Sequence, residues 1–281
     1  MMLSDFAKPE VLEFYRSLPF NVHGDTEQTV RAIRSTDSVV NYPCLVPLLS
    51  KGTRVLEIGC GGGWMSNCIA HYYGADVTAI DFNESVIEYA QSISAAMGLG
   101  TRFLTSDLFL YAPEKYFDVA VSLGVLHHTG NVEEAIRKIC RDFVKPGGYF
   151  FLGLYHHYGR RPFLQHFENL RSAGADEDAL FAEYRRLHSN LSDETHLRSW
   201  FRDQVLHPHE TQHTLLETSE VLTSMNMEIV STSINRFQAI DNMNDLFEQE
   251  KQLEQVSRDR LASGSYYPGF FVVLARRSDN G

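Results

Sequence analysis

The chain has little cysteine. Cys44, Cys60, Cys68 and Cys140 are the four among 281 residues, and none forms a C-x-x-C pair. That excludes a disulfide scaffold and points to reduced thiols. Long hydrophobic runs are also missing, since no stretch approaches the roughly 18 apolar residues of a membrane span. The first residues carry Asp5, Lys8, Glu10 and Glu13 where a secretory leader needs an apolar run. A cytoplasmic protein with no membrane partner is expected. There is no excess of basic charge: 25 Lys and Arg against 36 Asp and Glu give a formal net charge of -11. A broad nucleic-acid surface is therefore disfavoured, although Arg160-Arg161 or Arg185-Arg186 could form a local patch. No internal repeat or low-complexity tract occurs. What remains is an ordinary globular composition, 43% hydrophobic and 12% aromatic, long enough for one large domain with an insertion or for two small ones.

From about Thr53 to Tyr155, short apolar runs alternate with amphipathic stretches. "RVLEIG", "DVTAID", "RFLTSD", "FDVAVSLG" and "GYFFLGLY" read as strands. "MSNCIAHYYG", "ESVIEYAQSISAAMG" and "VEEAIRKICRDFV" read as helices between them. Nearly continuous apolar strands separated by helices predict a parallel sheet covered on both faces. The last of these helices is expected to end at Lys145, before the Pro146-Gly147-Gly148 turn.

"VLEIGCGGGW" runs from a strand through a glycine loop into a helix. Glycines permit a tight turn and close approach of the backbone to a ligand. The dinucleotide pattern G-x-G-x-x-G fails at Trp64, whereas E-x-G-x-G-x-G fits Glu57, Gly59, Gly61 and Gly63. Asp81 ends the next strand, about 20 residues on, where a carboxylate can accept both hydroxyls of a ribose. Asp107 ends the third strand. Capping of the following helix is the structural alternative for both acids.

In the order and spacing of these motifs, residues 53 to 155 resemble the class I S-adenosylmethionine-dependent methyltransferases. The resemblance implies an α/β, Rossmann-like sheet of seven mostly parallel strands with the last antiparallel. It implies that Glu57, Gly59, Gly61 and Gly63 face the methionine end of the cofactor and the approach to its ribose. Asp81 would bind the ribose hydroxyls, and Asp107 with Leu108 the adenine. Leu123 and Gly124 would lie along the cofactor. "LLETSEVLTSM", "MEIVSTSI" and "GFFVVLARR" supply the late helix and strands. The expected organisation is a helical N-terminal lid at 1–50 and a cofactor-binding core at 51–155. A helical cap at 156–213 is inserted between strands 5 and 6, and 214–281 complete the core around an insertion near 236–265. Tyr15, Phe20 and Asn21 in "FYRSLPFN" are candidates to fold over the cofactor, because aromatic faces suit a sulfonium cation.

One motif points elsewhere. His209-Glu210-Thr211-Gln212-His213 matches the H-E-x-x-H zinc signature, which binds metal only on a helix. Thr214-Leu215-Leu216-Glu217, however, reads as a capping box, so the two histidines precede the helix and the zinc-protease site is not expected; another metal role for the loop stays open. The loop either packs the insertion onto the sheet or offers His209 and Glu210 to the substrate. His127 and His128 after the fourth strand, and His156 after the fifth, are the other candidate bases, since imidazole titrates in the needed range. The expected function is methyl transfer to an oxygen or nitrogen of a small-molecule metabolite. An RNA or protein methyltransferase on the same core, or a non-catalytic cofactor-binding protein, is the alternative. The acceptor and the oligomeric state are not legible.

Overall fold

The computed structural model describes residues 3–17, 25–188 and 193–279. Seven strands form one sheet: β1 (Arg54–Ile58), β2 (Asp76–Asp81), β3 (Arg102–Thr105), β4 (Phe117–Leu123), β5 (Val144–Tyr155), β6 (Met227–Thr232) and β7 (Phe270–Arg277). Their spatial order is β3-β2-β1-β4-β5-β7-β6. β7 runs antiparallel to both β5 and β6, and the pairs among β1 to β5 are parallel. The parallel part is what the alternating pattern predicts, and the antiparallel last strand is what the family resemblance implies.

The period-2 alternation of a strand sends neighbours to opposite faces, and both faces are covered. Leu56, Ala120, Phe150 and Val273 enter one apolar cluster, with α5 (Val132–Lys138), α9 (Leu215–Ser224) and α10 (Met243–Lys251). Val55, Val119, Phe151 and Val272 enter the other, with α2 (Thr26–Ser35), α3 (Trp64–Tyr73) and α4 (Glu84–Met97). Between β5 and α9 lie α6 (His157–Ser172), α7 (Glu177–Leu187) and α8 (Glu194–Phe201). They share a separate cluster that includes Phe163, Phe167, Phe181, Tyr184 and Phe201. α11 (Leu253–Ala262) packs on α6. α1 (Pro9–Ser17) precedes the core, and Phe20 and Asn21 lie outside the described residues.

One boundary differs from the expectation. The helix expected to reach Lys145 ends at Lys138 and continues as a π turn, Ile139–Phe143. β5 starts at Val144, and its register against β4 shifts across the Lys145–Gly148 stretch. Arg277 explains the early end, because its guanidinium donates to the carbonyls of Cys140 (2.9 Å) and Val144 (2.6 Å). Carbonyls that a longer helix would have used are satisfied from β7 instead.

Candidate active site

The strand order reverses between β1 and β4, which opens a crevice at the carboxyl ends of the strands. A cavity of about 560 Å³ lies there. The ends of β1 to β3 contribute Gly59, Gly61, Asp81, Asp107 and Leu108 to its wall. β4 and the turn after it contribute Leu123, Gly124 and His128. Tyr15 of α1 and Asp203 of the segment after α8 complete it.

The glycine loop is left-handed at Gly59 (φ 71°), Gly61 (φ 49°) and Gly63 (φ 72°), a region costly for any residue with a Cβ. A Cβ on Gly59 would run into Val125. One on Gly63 would stand 2.7 Å from Ala90 and 2.8 Å from Phe103. Gly63 thus serves the close packing of the start of α3 against α4 and β3 and is not part of the cavity wall. Asp81 ties the loop together: Oδ2 accepts the Gly61 amide and Oδ1 the Asn83 amide, both at 2.9 Å. Burial raises its pKa above the usual carboxylate range, against those amide bonds. The cap of α4 is Asn83, so Asp81 is not there as a helix cap. Asp107 Oδ1 accepts from the Phe109 amide (2.8 Å), and Oδ2 from the Ser4 amide (2.7 Å) of the N-terminal segment.

Glu57 departs from the expectation. It lies behind the loop, out of the cavity wall, where the Ser66 hydroxyl donates to Oε2. Burial pushes its carboxyl up to about 7.

Of the five candidate bases, only His128 reaches the cavity wall. His156 is fully buried: its Nδ1 accepts the Gly159 amide (3.1 Å) as the cap of α6, and its Nε2 faces Glu250 Oε2 at 2.8 Å. The same Glu250 carboxylate accepts the Leu215 amide (2.6 Å) at the start of α9. His127 is buried, with Nδ1 accepting the Tyr155 amide at 3.3 Å. Glu210 holds Arg160 in a two-pronged ion pair, Nε to Oε1 at 3.0 Å and Nη2 to Oε2 at 2.7 Å. His209 Nε2 meets the Thr129 carbonyl at 3.0 Å. His156, His209 and Glu210 are placed as parts of the scaffold by these bonds, and His127 by its burial away from the cavity wall, with its Nε2 left without a partner.

The H-E-x-x-H stretch precedes α9, whose capping box is formed: Thr214 Oγ1 accepts the Glu217 amide (3.0 Å) and Glu217 Oε2 the Thr214 amide (2.9 Å). The stretch is pinned across the ends of β4 and β5. The Thr211 amide donates to the His127 carbonyl (2.9 Å) and the His213 amide to the Tyr155 carbonyl (2.9 Å). Its effect on the cavity is indirect. The His209 carbonyl accepts from His128 Nδ1 at 2.9 Å. A carbonyl only accepts, so Nδ1 carries the ring proton and Nε2 keeps its lone pair. Burial holds His128 neutral, with its pKa lowered to about 4.

Two residues next to His128 carry no motif in the sequence. His207 stacks on it, with ring centroids 3.8 Å apart, and burial lowers its pKa to about 3. Asp203 Oδ1 lies 3.9 Å from His128 Nε2. Asp203 accepts the hydroxyls of Tyr15 (2.5 Å) and Tyr155 (3.2 Å). It stands on a π turn, Arg202–Leu206. The usable signal in "WFRDQVL" was an acid in a helical stretch with apolar residues two and three positions to either side.

Residues 56–152 match the family model described as "Methyltransferase domain", and residues 5–98 match that of protein-L-isoaspartate(D-aspartate) O-methyltransferase. The chain carries a methyltransferase domain at residues 56–152, and in its motifs and fold it is similar to the class I S-adenosylmethionine-dependent methyltransferases. Its cofactor is S-adenosylmethionine. A ubiquinone biosynthesis O-methyltransferase of Coxiella burnetii is 32% identical over 102 residues, covering 36% of this chain and 43% of the relative. One from Proteus mirabilis is 29% identical over 155 residues, 53% of this chain and 62% of the relative. The chain thus spans less than two thirds of the length of these curated relatives. A magnesium protoporphyrin IX methyltransferase from Synechocystis PCC 6803, solved with bound SAH, shares the fold at TM-score 0.54. It is 17% identical, with 95% of this chain and 94% of that one covered. No described helix is long and apolar enough to cross a membrane.

Proposed function

We propose that this methyltransferase transfers a methyl group to an oxygen or nitrogen of a small molecule. The observation that carries the reading is one cavity shared by Asp81 and Asp107 at the strand ends and by His128 with Asp203 on the cap side. The residues fit the cofactor: two carboxylates and a left-handed glycine turn border a wall of Ile58, Ile80, Phe82 and Leu108. Asp81 would take the ribose hydroxyls, Asp107 and Leu108 the adenine, and the Gly59–Gly61 backbone the methionine end. When bound, the cofactor supplies a methyl carbon already activated by its sulfonium.

The protein's part is alignment and exclusion of water. His128 Nε2 holds the lone pair that receives the acceptor's proton, and the His209 carbonyl fixes its tautomer. Tyr155, Trp200, Tyr266 and Phe270 give the acceptor side aromatic walls, which suits a flat, hydroxylated acceptor. Tyr15 reaches from α1 to Asp203 of the cap, an arrangement that favours a small acceptor over a polymer. The curated relatives named as ubiquinone biosynthesis O-methyltransferases support oxygen as the acceptor atom.

Calorimetry with S-adenosylhomocysteine and NAD tests the cofactor, and His128→Asn tests the base. S-adenosylhomocysteine should bind, NAD should not, and the variant should keep cofactor affinity while losing on the order of 100-fold in turnover. NAD binding without S-adenosylhomocysteine binding would overturn the reading.

A further inference from the structure

We propose that His128, Asp203 and His207 form a site for one divalent transition-metal ion on the acceptor side of the cavity. Among the described residues they are the one group of His, Cys, Asp or Glu able to surround an ion, with their ligand atoms all within 4.8 Å of one another. Ligands about 2.0–2.2 Å from a shared ion stand roughly 3–3.5 Å from each other. A contraction of about 1 Å therefore closes the site.

The second observation is independent of that spacing. The Nε2 atoms of His128 and His207 are both buried with no hydrogen-bond partner. An orphaned buried polar atom is costly and calls for an explanation, and one ion satisfies both. The ligands are also braced from behind, as metal ligands usually are. His128 Nδ1 donates to the His209 carbonyl, and Asp203 accepts from Tyr15 and Tyr155. His207 Nδ1 accepts the His209 amide at 3.1 Å. Ligation through its Nε2 moves the ring proton to Nδ1 and gives up that one contact.

Two imidazoles and one carboxylate suit borderline ions such as Zn²⁺, Co²⁺ or Fe²⁺, whereas Mg²⁺ and Ca²⁺ prefer all-oxygen shells. Three protein ligands leave positions open to the cavity, and an anionic oxygen would fill one. Ion binding stands without the methyl-transfer reading; only the use of the open position by an acceptor oxygen rests on it. In the loaded protein the ion, in place of the His128 lone pair, would lower the pKa of that acceptor hydroxyl.

The full chain, stripped with EDTA and dialysed, would be titrated with Co²⁺ by visible absorption and with Zn²⁺ by calorimetry. One equivalent of each should bind, and the Co²⁺ complex should show ligand-field bands. Asp203→Asn and His207→Gln should each weaken binding by about 100-fold or more, while His213→Gln on the same loop should not change it. Thermal unfolding and S-adenosylhomocysteine affinity report whether the variants fold. The absence of stoichiometric uptake, or uptake retained in both variants, overturns the site. S-adenosylhomocysteine binding without metal uptake would defeat the metal site and leave methyl transfer standing. Metal uptake lost in the variants would support the site even if S-adenosylhomocysteine did not bind.

Discussion

Arg160 and Glu210 are locked together, guanidinium to carboxylate, through two hydrogen bonds of 3.0 and 2.7 Å. Arg160 is fully buried, and its Nη2 also donates to the Gln204 carbonyl at 2.7 Å. Its guanidinium lies 4.1 Å from the centre of the Tyr155 ring. The pair fastens α6 to the loop before α9, and with it the segment that carries Asp203. Removing one partner of a buried pair leaves an uncompensated charge and costs about 3–5 kcal/mol. Glu210→Ala should therefore lower stability in urea unfolding by about that much. The paired change Arg160→Met with Glu210→Leu should recover most of it. A Glu210→Ala variant of wild-type stability that had lost only turnover would return Glu210 to the chemistry.

Asp81 is expected to act on the cofactor and on the loop at once. Asp81→Ala should weaken S-adenosylhomocysteine binding by about 1.5–3 kcal/mol for each charge-assisted bond lost. It also frees the Gly61 and Asn83 amides, so the measured loss should exceed that of Asp81→Asn. Calorimetry on the two variants separates them, and unchanged affinity in both would remove Asp81 from the site.

Gly63→Ala should destabilise the fold rather than block the cavity. The added methyl meets Ala90 and Phe103 inside 3 Å at a left-handed position. Overpacking of this kind costs about 1–3 kcal/mol. Thermal unfolding should show the loss. Cofactor affinity measured well below the midpoint should fall less than it does for Asp81→Ala.

Glu57 should make stability depend on pH in the direction opposite to an ion-paired acid. Its carboxyl is raised to about 7 by burial, above its value in the unfolded chain. The folded state therefore binds the proton more tightly. That contribution is complete below about pH 4.5 and is lost as pH rises through 7. At about 1.4 kcal/mol per pKa unit it amounts to roughly 3 kcal/mol. Glu57→Gln keeps an acceptor for Ser66 without the charge. The variant should gain stability relative to wild type between pH 5 and 8. A constant difference across that range would show that Glu57 is ionised in the fold.

The local signals were strong where one residue type satisfies one local need. Glycine is required at the left-handed turn of residues 59 to 63, and Asp81 and Asp107 mark strand ends that periodicity locates. Thr214 and Glu217 cap α9 through contacts three residues apart. The strand alternation in Val55-Leu56 and Phe150-Phe151 follows from backbone geometry alone. The sheet, and the placing of Gly59, Gly61, Asp81 and Asp107 on one wall of the cavity, were legible for that reason.

Tertiary structure decided the other wall, around His128. His127 and His128 are adjacent in sequence and chemically identical, yet only His128 faces the cavity, because a 3₁₀ turn over Leu126–His128 separates their side chains. His156, His209 and Glu210 resemble catalytic residues until their partners Glu250, Thr129 and Arg160, 94, 80 and 50 residues away, are in place. Asp203 gains its meaning only when α8 and its π turn bring it beside His128, 75 positions back along the chain. Sequence determined which groups could titrate or bind. Long-range packing determined which of their atoms remained unsatisfied, and no local pattern encodes that.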